Sequence, residues 1–209
     1  MLSKRAQKRT RTRTLAPSVA RRPRAFLSPR ISDDAPDHDF EQLPLETREA
    51  IVSVLSMVSS DPEGALPRLE ALRKQFPHVP QIYNATAHAF GAIGDISSQR
   101  YWVIKTYELF PHYLFGVCAY GEMLLRREQF EEFEMIFGKK RHLQLLSPDQ
   151  QNFHTTEAIA FYRMWCRYAL QRKDWSLAWE HYEHLCDLDQ NHPQVVPLHS
   201  IFRREHLHA

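Results

Sequence analysis

Pro77 and Pro111 stand thirty-four residues apart, and the residues before each keep the same spacing: Ala65, Leu69 and Leu72 ahead of the first, Gln99, Val103 and Thr106 ahead of the second. A period of that length is too long for one ordinary helix and suits two helices with their turns. A helix pair of this kind leaves one apolar face bare, and only a stacked neighbour can cover it. The spacing therefore constrains the chain to units that pack in sequence order.

From about Thr47 onward apolar residues recur at intervals of three and four, the helical pattern. The clearest unit runs from Pro80 to Pro111. Its first helix sets Ile82, Tyr83, Thr86, Ala87 and Phe90 on one face, and its second offers Tyr101, Trp102, Ile104, Tyr107 and Leu109. Between them Gly94 tolerates a left-handed turn and Asp95 can accept from the free amides of the next helix. The following unit continues without a gap through Val117, Tyr120-Gly121, Leu124, Phe130 and Phe137, with Arg126, Arg127 and Glu128 where the turn glycine stood and Phe133 where a small residue is usual. A last unit carries Tyr162, Trp165-Cys166, Ala169, Trp175, Ala178 and Tyr182, with Asp174 as the cap of its second helix. A fourteen-residue insertion separates it from the unit before. Ser147, Pro148 and Gln150 there read as a helix start, which predicts one extended helix over 148–171. The opening unit has Asp61 and Pro62 at a helix start and an apolar first helix over 47–60. Residues 197–206 form a closing helix, with Val195, Val196, Ile201 and Phe202 covering the last unit.

The unit from Pro80 to Pro111 resembles a tetratricopeptide repeat through Tyr83, Thr86-Ala87, Phe90, Gly94 and Pro111, and departs from it at Gln99, where that family has alanine. The resemblance implies an all-α fold: a right-handed α-α superhelix, a solenoid of about four helix-turn-helix units with a C-terminal capping helix over residues 46–209. It further implies a concave groove lined by the first helices of the units, with Asn84, His88, Phe115, Glu122, Leu125, Arg126, Arg163 and Arg167 facing a partner. One branch of the family clamps a chaperone's C-terminal carboxylate with Lys, Asn and Arg. The matching positions here hold Ala50, Val54, Ala85, Phe115 and Ala119, or one unit later Asn84, His88, Ala119, Ala160 and Met164, so that clamp is missing. The groove has an apolar centre at Phe115 and Leu125 and a basic end at Arg126, Arg163 and Arg167, which suits an amphipathic or acidic peptide.

The net charge of +2 conceals two opposed regions. Residues 1–30 carry ten Lys or Arg and no acid, whereas the remainder carries 17 basic and 25 acidic residues. The basic segment has prolines at 17, 23 and 29 and too little apolar surface to offset the entropy of ordering, so it reads as a disordered tail. Its arginines, notably Arg9, Arg11, Arg13, Arg21, Arg22 and Arg24, offer three uses: attachment to nucleic acid or an anionic surface, organelle targeting, or docking on the acidic domain of the same or a second copy. Residues 31–45 reverse the sign with Asp33, Asp34, Asp37, Asp39 and Glu41 and read as an acidic linker. No apolar run is long enough to span a membrane. With three cysteines (Cys118, Cys166, Cys186) and no Cys-x-x-Cys, the chain suits a reducing compartment, and a cytoplasmic site is expected.

Only six glycines are present, and no phosphate-cradling glycine loop, nucleophile elbow or His-Glu-x-x-His occurs. His181 and His184 stand three apart on one helix near Cys186 and suggest a metal pair. Solvent-facing or hydrogen-bonded histidines are the preferred reading, since no third ligand is placed. The run Glu128, Glu131, Glu132, Glu134 lies at helical spacing and reads as a solvated face. The expectation is a protein-binding scaffold without catalytic residues, cofactor or metal.

Overall fold

The computed structural model describes residues 29–34 and 38–206. A strand β1 (Arg30–Ser32) and a helical turn α1 (His38–Glu41) precede α2 (Leu45–Ser60), α3 (Pro62–Gln75), α4 (Pro80–Ala92), α5 (Ile96–Leu109), α6 (Leu114–Arg126) and α7 (Phe130–Phe137). There follow α8 (Leu143–Leu146), β2 (Asn152–His154), α9 (Thr155–Gln171), α10 (Trp175–Asp189) and α11 (Val196–His206). The described chain is mostly helical, as the periodicity implies. Among the described residues no helix is long and apolar enough to cross a membrane. The expected tail contacts at Arg9, Arg11, Arg13, Arg21, Arg22 and Arg24 lie outside the described residues.

Two kinds of turn join the helices. Between α4 and α5, Gly94 N–H donates to Gly91 and Asp95 N–H to Phe90, the paired bonds that close a helix through a left-handed residue. Glu128 and Gln129 donate to Leu125 and Leu124 in the same way, and Lys173 and Asp174 to Leu170 and Ala169. The left-handed residues have φ of 81° at Gly94, 56° at Glu128 and 58° at Lys173. The second kind joins one pair to the next. Phe76 and Phe110 N–H donate to Leu72 and Thr106, and Val79 and Tyr113 N–H then donate to Phe76 and Phe110. Pro77 and Pro111 sit in these turns, and Tyr83 Oη donates to the Pro77 carbonyl at 3.0 Å. Gly94 and Glu128 are thirty-four residues apart and Glu128 and Lys173 forty-five, so the insertion adds eleven residues rather than fourteen.

The caps read from the sequence are present. Asp61, Asp95 and Asp174 accept from the amides of Gly64, Ser98 and Leu177 at the starts of α3, α5 and α10. Two apolar clusters follow, one from α2, α3 and α4 around Ile51, Leu69 and Ile82, the other from α6 onward around Phe133, Phe137, Phe161 and Trp165. Tyr107 and Tyr120 stack at 4.2 Å where α5 meets α6. Phe133 is fully buried and stacks on Tyr168 at 4.7 Å, so the large residue fills space that a small one would leave empty. The inner face of α5 belongs to Val103 and Thr106, whereas Tyr101 and Leu109 are exposed, one register away from the sequence reading. At the far end Val195 and Phe202 are buried, but Val196 and Ile201 remain exposed.

The insertion departs from expectation. No helix begins at 148: Ser147 ends α8, and residues 152–154 are extended and pair in parallel with β1, Ile31 opposite Phe153. The helix starts only at Thr155, where His154 caps it and Glu157 reaches back to the His154 N–H at 2.9 Å. The supposed linker is thus anchored, because β1 draws residues 30–32 onto the far half of the molecule, where Ile31 packs against the core. A partner strand more than a hundred residues distant leaves no local pattern to read.

Gly121 and the three left-handed residues provide tests. A Cβ at Gly121 would collide with Met164 Sδ and stand 3.2 Å from the Phe137 ring. Gly121→Ala is expected to cost about 2 kcal/mol in urea unfolding. Conversely, Glu128→Gly and Lys173→Gly should each stabilise by about 0.5–1 kcal/mol, because glycine adopts positive φ without a Cβ penalty, whereas Gly94→Ala should destabilise by a similar amount.

Candidate functional site: a basic cleft on the first helices

A cleft of about 630 Å³ is lined by successive first helices: Asn84 and His88 from α4, Phe115, Glu122 and Arg126 from α6, and Thr156, Ala160 and Arg163 from α9. These residues come together because Asn84 and His88, Phe115 and Glu122, and Thr156 and Arg163 lie one or two helical turns apart on their helices. Gln99 and Arg100 of α5, with His192 and Gln194 after α10, complete the walls.

Glu122 organises the site. Its side chain is 5% exposed and is held by two arginines of α9, with Arg163 Nη2 at 3.2 Å from Oε1 and Arg167 Nη1 at 3.0 Å from Oε2. Burying one carboxylate against two guanidiniums leaves an excess positive charge at the α6–α9 seam. Glu122 Oε1 and Arg163 Nε lack hydrogen-bond partners of good geometry. Arg126 and Arg127 line the cleft as exposed side chains and appear in no ion pair among the described residues. His88 reaches solvent from the open side, but the surrounding walls strip much of its hydration. That desolvation, then the charges of Arg126 and Arg163, pushes its pKa below the ordinary imidazole value and keeps it neutral at pH 7.

Six of the eight groove residues read from the sequence meet here: Asn84, His88, Phe115, Glu122, Arg126 and Arg163. Leu125 does not. It is fully buried in the core, and its carbonyl accepts from Gln171 Nε2, because it follows Leu124 on the face of α6 turned toward α9. Arg167 does not line the cleft either, since its guanidinium is committed to Glu122. Sequence reasoning missed Gln99, Arg100, His192 and Gln194, which lie outside the first helices on which the groove was mapped.

No family model, curated protein or solved structure matches the chain. The cleft must be interpreted from its own chemistry.

The other candidate clusters resolve differently. Among the described residues no group of three or more His, Cys, Asp and Glu side chains could hold a metal ion. His181 is neither solvent-facing nor hydrogen-bonded: it is fully buried, both ring nitrogens lack partners, and it stacks on Trp165 at 5.9 Å. Burial pulls its pKa down to about 4, with lesser contributions from His184, His142 and Arg141. The glutamate run is only partly a free face, since Glu132 accepts from Tyr120 and Gln129 and Glu134 from Tyr168. Cys118 and Cys166 are buried packing thiols, and burial raises both pKa values.

Two outcomes follow from these environments. His181 must stay neutral to remain folded, so the unfolded chain binds more protons between pH 6.5 and about 4. Stability should therefore fall as pH drops through that window, by up to about 3 kcal/mol, and His181→Leu should flatten the decline. Glu122→Ala should destabilise by about 1–3 kcal/mol in chemical unfolding, below the roughly 3–5 kcal/mol of a fully buried broken pair because both arginines are partly exposed.

Proposed function

We propose that the chain is a non-catalytic, tetratricopeptide-repeat-like module, a right-handed solenoid whose concave face holds an acidic or amphipathic segment of a partner protein. The recurrence of both turn types at thirty-four residues supports the repeat assignment, and one unit's likeness to the family agrees with it. The observation that carries the binding reading is the cleft itself. It is lined largely by first helices, includes the ring of Phe115, and keeps Arg126, Arg127 and Arg100 unpaired among the described residues while Glu122 is neutralised by α9. A volume of about 630 Å³ accepts a few side chains of a bound helix rather than a whole domain.

The ten Lys and Arg of residues 1–30 favour a second, separable binding mode toward nucleic acid or an anionic surface. Loss of a salt-sensitive gel shift on replacing Arg9, Arg11, Arg13, Arg21, Arg22 and Arg24 by Ser would support it; an unchanged shift would reject it.

Arg126 is the cleaner probe of the cleft, because Arg163 and Arg167 also hold Glu122. A fluorescent amphipathic helical peptide with Glu at its polar positions should bind, and Arg126→Glu should weaken it by about tenfold or more in anisotropy titrations without lowering stability. Equal affinity of wild type and variant would refute the assignment.

A further inference from the structure

The cleft carries more positive charge than one carboxylate of a partner would neutralise. Arg100 of α5, Arg126 and Arg127 of α6 and Arg163 of α9 line it, and Glu122 is the only acid among the described lining residues. That acid is already matched from outside the cleft, since Arg167 Nη1 donates to Glu122 Oε2 at 3.0 Å and Arg167 does not line the opening. The four lining guanidiniums therefore keep their charge uncancelled.

Arg163 is the informative member. Its Nη2 stands 3.2 Å from Glu122 Oε1, yet that oxygen and the buried Arg163 Nε both lack a hydrogen-bond partner, so the contact is a charge pairing without a well-directed bond. A guanidinium held in this way loses little by turning toward a stronger acceptor, and its Nε gains a partner by doing so. Arg126 approaches the same place from α6. After desolvation, the charges of Arg126 and Arg163 are what lower the His88 pKa, so both guanidiniums act at that ring. The side-chain amides of Asn84 and Gln99 line the same space and add N–H donors.

A tetrahedral dianion suits this arrangement better than a carboxylate. A phosphorylated side chain brings a charge of about −1.5 to −2 at neutral pH and three strong acceptor oxygens, and arginine forks pair with phosphate through two parallel bonds. We infer that the partner segment held in this cleft carries a phosphorylated serine or threonine, whose phosphate sits between Arg126 and Arg163 beside His88. The inference rests on the cleft being the partner site, and it makes phosphorylation of the partner the switch for capture. Nucleic acid offers the same oxygens, but as a run of phosphates along an extended backbone. Here the cations share a cleft of about 630 Å³ with Ile96, Val103, Phe115 and Met123, which suits one phosphate flanked by apolar side chains.

Anisotropy titrations of the full chain test the inference. The probes are labelled amphipathic helical peptides with Glu at their polar positions, carrying phosphoserine at one of three successive polar positions, each beside a peptide brought to the same net charge with an added Glu. At one position at least, phosphoserine should bind about tenfold or more tighter than its charge-matched partner. Arg126 enters no ion pair among the described residues, so Arg126→Gln leaves the fold intact and should reduce that advantage to about twofold or less. Arg126→Lys, which keeps the charge and loses the fork, should forfeit most of it. Equal affinity of the phosphoserine and charge-matched peptides at all three positions, with Arg126→Glu still weakening both, would overturn the phosphate inference and leave the cleft reading standing. Peptide binding that is absent, or indifferent to Arg126→Glu, would remove both. A short single-stranded oligonucleotide that displaces the phosphopeptide, with an affinity lost in Arg126→Gln, would assign the cleft to nucleic acid and overturn the inference as well.

Discussion

A helix pair covers only part of its own apolar surface, and everything else in this molecule follows from how the next pair is brought against it. The turns decide that placement. One kind closes a pair through a left-handed residue with two backbone bonds, and the other hands the chain to the next pair around Phe76-Pro77 or Phe110-Pro111 with matching hydrogen bonds. Because the two turns fix the exit direction of each helix, the first helices of successive pairs line up and share a wall. The cleft is a consequence of turn geometry as much as of the side chains in it.

Glu122 ties that scaffold to its chemistry. A buried carboxylate at a helix seam is costly unless paired, and Arg163 and Arg167 supply the pairing from α9. The same contact that locks α6 to α9 leaves a surplus of guanidinium charge facing the opening. Under the proposed binding role, stability and ligand preference meet at one residue, so substitution of Arg126, with no ion-pair partner among the described residues, probes binding apart from stability, whereas substitution of Arg163 does not.

Much of this was legible in the sequence, for identifiable reasons. Asp61, Asp95 and Asp174 announce helix starts because an aspartate before a helical run has one favoured use. The interval from Pro77 to Pro111 marks two matching inter-helix turns because proline cannot continue a helix. Glu128 and Lys173 were harder, since neither is a residue that ordinarily adopts positive φ, and only the hydrogen bonds around them show that they do the work of Gly94. Leu125 was misassigned because a one-residue rotation about α6 carries a side chain from cleft to core. The strand at 30–32 was invisible, its partner being neither near in sequence nor marked by any local alternation. His181 shows the limit from the other side: a polar residue can be buried for its ring surface against Trp165, with both nitrogens left unpartnered.

The central claim is that the face built by α4, α6 and α9 takes the partner segment. Amide hydrogen exchange on the full chain, with and without the acidic amphipathic peptide, tests it most directly. The account predicts slowed exchange concentrated in α4, α6 and the first turns of α9, with α3 and α10 unchanged. Protection confined to α3, α7 or α10, or none at concentrations where the peptide is bound, would contradict it.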